Sequence, residues 1–287
     1  MSDTSTRTHH RVCHLCEAMC GLVIQTEGDK VTDVRGDKDD PLSRGHVCPK
    51  AVALQDIHED PDRLRKPMKR IRTAPGEYQH VEIEWSEALD LAADALASTI
   101  EKQGIDAIGA YFGNPSVHNY GMLTHQRNLF RHIRTRNRFS ATSVDQLPHH
   151  LVSLWCFGHM LLHPIPDVDR THYFLMLGAN PLASNGSIWT VPDVRQRLKD
   201  LKSRGGKLVV VDPRRTETAE LASEHLFIRP GSDAAFLLAM IHVLFRDDLV
   251  APGPLGDFTD GLDEVAAAVS ELSPDRATPL TGIEDDD

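Results

Sequence analysis

The sequence predicts an α/β protein in which a small β-rich module precedes α/β layers built on a mostly parallel sheet. Three observations carry that expectation. A hairpin pattern near the start runs from Leu22 to Thr26 and from Val31 to Val34 about a turn at Gly28-Asp29. Two continuous apolar runs, Tyr173 to Leu177 and Leu208 to Val211, halt at Gly178 and at Asp212-Pro213, as strands covered on both faces do. Amphipathic segments alternate with them, and alternation of strand and helix produces parallel sheets.

The elements follow in order. Residues 1–10 are polar and are expected to be disordered. The acidic stretch Gly36 to Gly45, bearing Pro and Gly, reads as a loop. Asp60 to Gly76 is polar and basic with three prolines and reads as a connector. Trp85 to Leu89 opens a helix with Ser86 as its N-cap, and apolar residues continue at Leu89, Ala92, Ala93, Leu96 and Ile100 until Gly104. Ile105 to Phe112 reads as a short buried strand, and Tyr120 to Ile133 as a helix. The segment from Val191 to Ser203 is amphipathic and ends at Gly205-Gly206. The organisation expected is a tail over 1–10, a cysteine module over 11–66, and an α/β region over 67–287.

Composition narrows the function classes. With 287 residues, 40% hydrophobic and 25% charged, the chain is of the soluble globular type, large enough for one big domain or two ordinary ones. No apolar run approaches membrane-spanning length. The net charge of −11 disfavours non-specific nucleic-acid binding. Against that background Arg127, Arg131, Arg134, Arg136 and Arg138 form a locally basic run, read as a solvated helix face or as a contact for an anionic cofactor. No secretory or twin-arginine leader precedes the cysteines, so a cytoplasmic location is expected.

Those cysteines carry the chemistry. Cys13-x2-Cys16-x3-Cys20 is followed by Cys48 in Gly45-His46-Val47-Cys48-Pro49-Lys50. A four-iron, four-sulfur (4Fe–4S) cluster takes one thiolate per iron, three from a tight loop and the fourth from elsewhere. Zinc is the competing reading, but structural zinc prefers two separate chelating pairs, and only one such pair is present. A disulfide framework is unneeded at this length.

Two loops at strand ends are candidate ligand sites, since open parallel sheets bind ligands beyond the carboxyl ends of their strands. One is Gly178 to Gly186, whose short polar side chains and following helix amides suit a phosphate. The other is Asp212-Pro213-Arg214-Arg215-Thr216, where a carboxylate can accept from a ribose hydroxyl or purine N–H and a guanidinium can meet a phosphate. Neither is a glycine-rich dinucleotide or Walker motif, so ordinary turn chemistry stands beside nucleotide binding.

Taken in order, the cysteine motif with Gly21, the Cys48 motif, Leu177-Gly178-Ala179-Asn180-Pro181, Val211 to Ala219, and Arg229-Pro230-Gly231-Ser232-Asp233-Ala234 resemble the molybdopterin oxidoreductases of the dimethyl-sulfoxide-reductase superfamily. The nearest branches are the formate dehydrogenases and assimilatory nitrate reductases. The resemblance implies a 4Fe–4S cluster beside molybdenum or tungsten held by two molybdopterin guanine dinucleotides. It implies Cys13, Cys16, Cys20 and Cys48 as cluster ligands, and Lys50 as the lysine between cluster and pterin, where a cation eases electron addition. Asn180, Ser184, Asp212 and Arg214, with Asp233, fall where the family grips the dinucleotide. Asp145 falls near the protein ligand to the metal; a helix cap or Asx turn is the other reading of that residue. Gln146 stands where formate dehydrogenases carry a histidine, and His149 and His150 follow as proton carriers or plain helix residues. Cys156, between Trp155 and Phe157, reads as core.

Family enzymes run several hundred residues longer, so the chain is expected to be the N-terminal portion of a molybdopterin-dependent oxidoreductase. Expected partners are a small-molecule substrate, an electron donor or acceptor protein, and the remaining C-terminal half. An alternative is a non-catalytic iron–sulfur electron-transfer or scaffold subunit on the same fold.

Overall fold

The computed structural model describes residues 5–113, 116, 119–186 and 189–284. The chain divides into two compact units, residues 1–165 and 166–287.

The first unit opens with a three-stranded antiparallel sheet in the order β1 (Thr6–Val12), β2 (Gly21–Glu27), β3 (Lys30–Gly36). The expected hairpin is β2–β3, closed over Gly28-Asp29 with Gly28 at φ 61°. The expectation of disorder through residue 10 is corrected: Thr6 to His10 belong to β1 and pair with Glu27 to Val23. Six of the seven β1 residues are exposed. A polar, charged strand is how a sheet edge avoids further pairing, and the same composition imitates a disordered tail. Two short helices follow, α1 (Pro49–Val52) and α2 (Leu54–Glu59), with Glu59 Oε1 accepting from the Val31 amide of β3.

The expected connector contains a strand. Met68–Ala74 (β4) and Glu77–Glu82 (β5) form an antiparallel hairpin turning at Gly76, whose φ is 85°. The prolines signalled a linker, yet they flank β4 at positions 67 and 75, where no ladder donor is lost. Next comes α3 (Trp85–Gln103), preceded by Glu84 at the N-cap position in place of the expected Ser86 and ended by Gly104. Ile105–Ala107 is a 3₁₀ turn, so the strand expected from Ile105 shrinks to β6 (Ala110–Phe112). Nor is it buried, because Tyr111 is 73% exposed. Then follow α4 (Tyr120–His132), β7 (Arg138–Ser140) parallel to β6, α5 (Thr142–Asp145) and α6 (Leu147–Phe157). Arg138 lies 5.3 Å over the Phe130 ring and donates to the Phe130 carbonyl, which occupies one member of the basic run locally. Cys156 is exposed, contrary to the core expectation.

The second unit is a parallel sheet in the order β10 (Glu224–Leu226), β9 (Lys207–Val211), β8 (Tyr173–Leu177). Its helices are α7 (Pro181–Ser184), α8 (Val194–Ser203), α9 (Glu217–Leu221), α10 (Asp233–Arg246), α11 (Leu262–Val269) and α12 (Pro274–Thr281). Side-chain alternation splits the strands between two apolar layers. Leu208 and Val210 pack with Met176 against Leu198, Leu201 and Ala219, and Leu198, Leu201, Leu208 and Val210 are wholly buried. Val211 faces the other way, with Ile228 and Ile283, against Phe236. Arg197, 8% exposed, is held by Asp169 at 2.5 Å and by the Pro192 carbonyl at 2.9 Å.

Candidate functional site

The first three cysteines occupy the β1–β2 connection. The Cys13 amide donates to the Cys20 carbonyl at 2.8 Å, closing the loop, and Met19 turns it at φ 52°. Cys48 comes from the next connection, at the N-cap position of α1 with Pro49 after it. Positive φ at Arg44 (52°) and Gly45 (84°) bends the chain back before it. Cys13 and Cys20 are buried beside Ala18, Leu22, Val34 and Ala51, and Cys16 and Cys48 pack against that same cluster. All four sulfurs therefore share one apolar nest.

Two carboxylate contacts and a glycine fix how the Cys48 loop is carried. Asp40 Oδ2 accepts from the Ser43 hydroxyl at 2.5 Å and from the Ser43 amide at 2.8 Å. The Ser43 oxygen in turn accepts from the Gly21 amide at 3.0 Å, next to Cys20. Those donors hold the Asp40 carboxyl below the usual carboxylate range, the Ser43 hydroxyl first. A Cβ on Gly36 would stand 2.0 Å from the Gly45 carbonyl oxygen, so the backbones touch there. Asp40, Ser43 and Gly36 lie in a segment that reads from sequence only as a linking loop; no spacing motif marks them.

The electrostatics of the nest suit thiolates bound to metal. Burial pushes the Cys20 thiol up to about 11, and the neighbouring Cys13, Cys16 and Cys48 add to the shift. Cys13 is also raised, by burial first and by Cys16 and Cys48, against the opposing pull of the Leu15 amide and Lys50. Four packed sulfurs repel one another when ionised, so without a bound cation the thiols hold their protons more tightly. Among the described residues, no group of three or more His, Cys, Asp or Glu is arranged to hold a metal ion. Four thiols gathered into one nest from two connections are the donor set that a 4Fe–4S cluster takes at its separate corners.

The second unit brings its two strand-end loops together. The Gly178 amide donates to the Val211 carbonyl at 2.9 Å, with Gly178 at φ 62°. Asn180 then bridges them: its Nδ2 donates to Glu217 Oε2 at 2.9 Å, and its Oδ1 accepts from the Thr218 hydroxyl at 2.7 Å. Thr218 is wholly buried and its oxygen also accepts from the Leu182 amide at 3.2 Å. Asn180 is therefore a clamp between the loops, and its amide holds the Glu217 carboxyl below the usual range. Thr216 caps α9 by accepting from the Ala219 amide at 3.1 Å. Asp212 is 7% exposed; its Oδ1 accepts from the Arg214 amide at 2.7 Å, and its carbonyl bonds His225 Nε2 at 3.0 Å.

Arg214 and Ser184 are exposed on the two loops, and Asp233 is exposed as the first residue of α10. Lys50, on α1, is exposed and close enough to Cys13 to favour its thiolate. Asp145 ends α5, exposed, immediately before the Gln146 that precedes α6. Sequence reasoning passed over Glu217 and Thr218, although both lie within a quoted motif, because a short polar side chain in a helix's first turn signals capping more often than clamping.

The family model described as the molybdopterin oxidoreductase Fe4S4 domain matches residues 6–59, and that described as molybdopterin oxidoreductase matches residues 63–268. The chain belongs to the molybdopterin oxidoreductase family. The smaller match contains the whole cysteine nest and Lys50; the larger contains Asp145 and both strand-end loops. Among its relatives, formate dehydrogenase H of Escherichia coli is 28% identical over 95% of this chain, and a nitrate reductase of Symbiobacterium thermophilum is 26% identical over 96%. The solved structure of acetylene hydratase from Pelobacter acetylenicus superposes with a TM-score of 0.76 at 27% identity over 96% of the chain. This molybdopterin oxidoreductase chain spans 37% of the length of each of these three proteins.

Proposed function

We propose that the chain is the cluster-bearing and dinucleotide-binding part of a molybdopterin-dependent oxidoreductase. The observation that carries this reading is the convergence of Cys13, Cys16, Cys20 and Cys48 in one apolar nest beside Lys50, within a chain of this family. Once bound, the 4Fe–4S cluster would supply one-electron transfer, and the molybdenum or tungsten bis(molybdopterin guanine dinucleotide) would supply two-electron chemistry.

The chain's residues act by holding and orienting. The four thiolates anchor the cluster while Ala18, Leu22 and Ala51 keep water from the sulfurs. The Lys50 ammonium favours negative charge at Cys13, and would be a donor to the pterin once that group is bound. Asp145 offers a hard carboxylate ligand to the metal. On the second unit, Asp212 would accept from the ribose or purine of a bound dinucleotide, Arg214 would meet its phosphates, and Ser184 and Asp233 would complete the polar rim. Asn180 supports that grip by fixing the spacing of the two loops. A small-molecule substrate and an electron donor or acceptor protein are the proposed partners, in the cytoplasm. No helix among the described residues is long and apolar enough to cross a membrane.

Anaerobic purification followed by iron, acid-labile sulfide and molybdenum or tungsten analysis tests the reading. Four iron and four sulfide per chain, with guanosine monophosphate released on acid hydrolysis, are expected. One equivalent of zinc without sulfide refutes the cluster, and a cluster without pterin assigns the chain to an electron-transfer or scaffold role.

A further inference from the structure

From Ala107 to Val144 the chain holds no Asp or Glu, in a protein whose net charge is −11. That stretch carries Arg127, Arg131, Arg134, Arg136 and Arg138, all of them exposed. Arg138 is occupied locally by Phe130. Arg127, Arg131, Arg134 and Arg136 make no ion pair with any described residue. Asp106 meets this segment, but its carboxylate accepts from the Arg136 backbone amide at 3.0 Å. Helix stability does not explain the run. Arg127 and Arg131 stand at i and i+4 on α4, where like charges destabilise a helix, and of the two only Arg131 lies in the last turn to complement the dipole.

Topology sets these arginines at the end of their sheet opposite to its candidate ligand residue. β6 and β7 are parallel and α4 crosses between them, so the C-terminus of α4 reaches the amino end of β7. Arg131, Arg134 and Arg136 lie at that end. Asp145 follows the carboxyl end of β7, where open parallel sheets take their ligands. The run is therefore a surface feature and not part of a cofactor grip. Its cations are all arginine, with no lysine from Ala107 to Val144, and arginine is enriched in protein interfaces where lysine is depleted. We infer that Arg127, Arg131, Arg134 and Arg136 form a docking surface for the acidic face of a partner protein. Planar guanidiniums free of internal ion pairs meet carboxylates through paired hydrogen bonds. Nucleic acid and anionic membranes present negative charge throughout, which a chain of −11 repels, whereas a protein can turn a local acidic patch toward a local basic one. The surface stands whether or not the cluster and the dinucleotide are bound.

Photo-crosslinking of the whole protein in its native host tests it. The photoreactive residue p-benzoylphenylalanine is placed at Asn128, exposed on α4 beside Arg127, and, as a control, at the exposed Tyr78 of the β4–β5 hairpin. Crosslinks from Asn128 to an Asp- or Glu-rich segment of another protein are expected, at a yield above that from Tyr78. Arg127→Glu with Arg131→Glu is expected to cut that yield about tenfold, and Lys in place of the partner's crosslinked carboxylates to restore it. Rescue by charge exchange separates docking from misfolding. Should the double variant fail to accumulate, Arg134→Gln with Arg136→Gln, outside the helix, carries the same comparison. Crosslinks to nucleic acid, to lipid, to this protein itself or to a protein segment without carboxylates would overturn the inference. So would a yield no higher than at Tyr78, a yield indifferent to the arginine substitutions, or failure of the charge exchange.

Discussion

At the scale of single residues, the nest depends on groups that are not ligands. Replacing Gly36 with Ala places a methyl group 2.0 Å from the Gly45 carbonyl oxygen, a backbone atom that cannot rotate away. We predict that Gly36→Ala displaces the Cys48 loop and lowers iron per chain. Gly76→Ala meets nothing within 4 Å and pays only for its φ of 85°, on the order of 1–2 kcal/mol, so its iron content stays at the unsubstituted level. Asp40 supplies a pH signature. Its carboxyl is depressed by the Ser43 hydroxyl, so the unfolded chain takes up the proton before the folded one. The contact's contribution is complete above the ordinary carboxylate pKa, about 3.9, and is lost as pH falls through the depressed value. Ser43→Ala is therefore expected to lower the urea midpoint at pH 7 by more than at pH 3. An equal drop at both would show that the carboxylate is not the partner that matters.

At the scale of elements, the strand-end loops of the second unit behave as one piece because Asn180 and Thr218 join them. Thr218→Val keeps the shape and removes the donor to Asn180 Oδ1 and the acceptor for the Leu182 amide. Leaving those half-buried groups unpaired costs about 1 kcal/mol, measurable by urea denaturation. Weaker retention of the guanine dinucleotide is expected with it, as the loops lose their fixed spacing. Legibility was uneven among the elements. Strand β9 is plain because Leu208 to Val211 enter apolar layers on both sides, and β8 shares its apolar run although Tyr173 and Leu177 at its ends are exposed. β1 and β4 were hidden for the opposite reason: strands with mostly exposed or half-buried residues carry polar sequences, and charge or nearby proline reads as tail or linker. β6 was overextended because Ile105 and Ala107 looked like strand residues, whereas Gly104 led into a 3₁₀ turn.

At the scale of the whole molecule, a cluster held by all four cysteines would couple two connections of the chain. Cys48→Ser removes the one thiolate contributed by the second connection. We expect it to abolish four-iron occupancy while leaving the second unit's sheet folded, as read by iron analysis alongside hydrogen exchange of β8 and β9. Loss of exchange protection in those strands would mean the cluster holds more of the fold than its own nest.

Sequence alone carried the case for a cluster: four cysteines in that order, with Lys50 after the last, favour it over zinc because the two take differently spaced ligands. It determined the parallel sheet of the second unit through the buried run of β9, Leu208 to Val211, since burial on both faces forces an apolar composition. Only the tertiary structure decided what supports those residues. The Gly21–Ser43 bond joins positions 22 residues apart, the Asn180 clamp joins positions 37 and 38 apart, and the Gly36–Gly45 approach depends on a missing methyl. Interactions so small and so distant leave no periodicity behind, and they exist only once the backbone has closed.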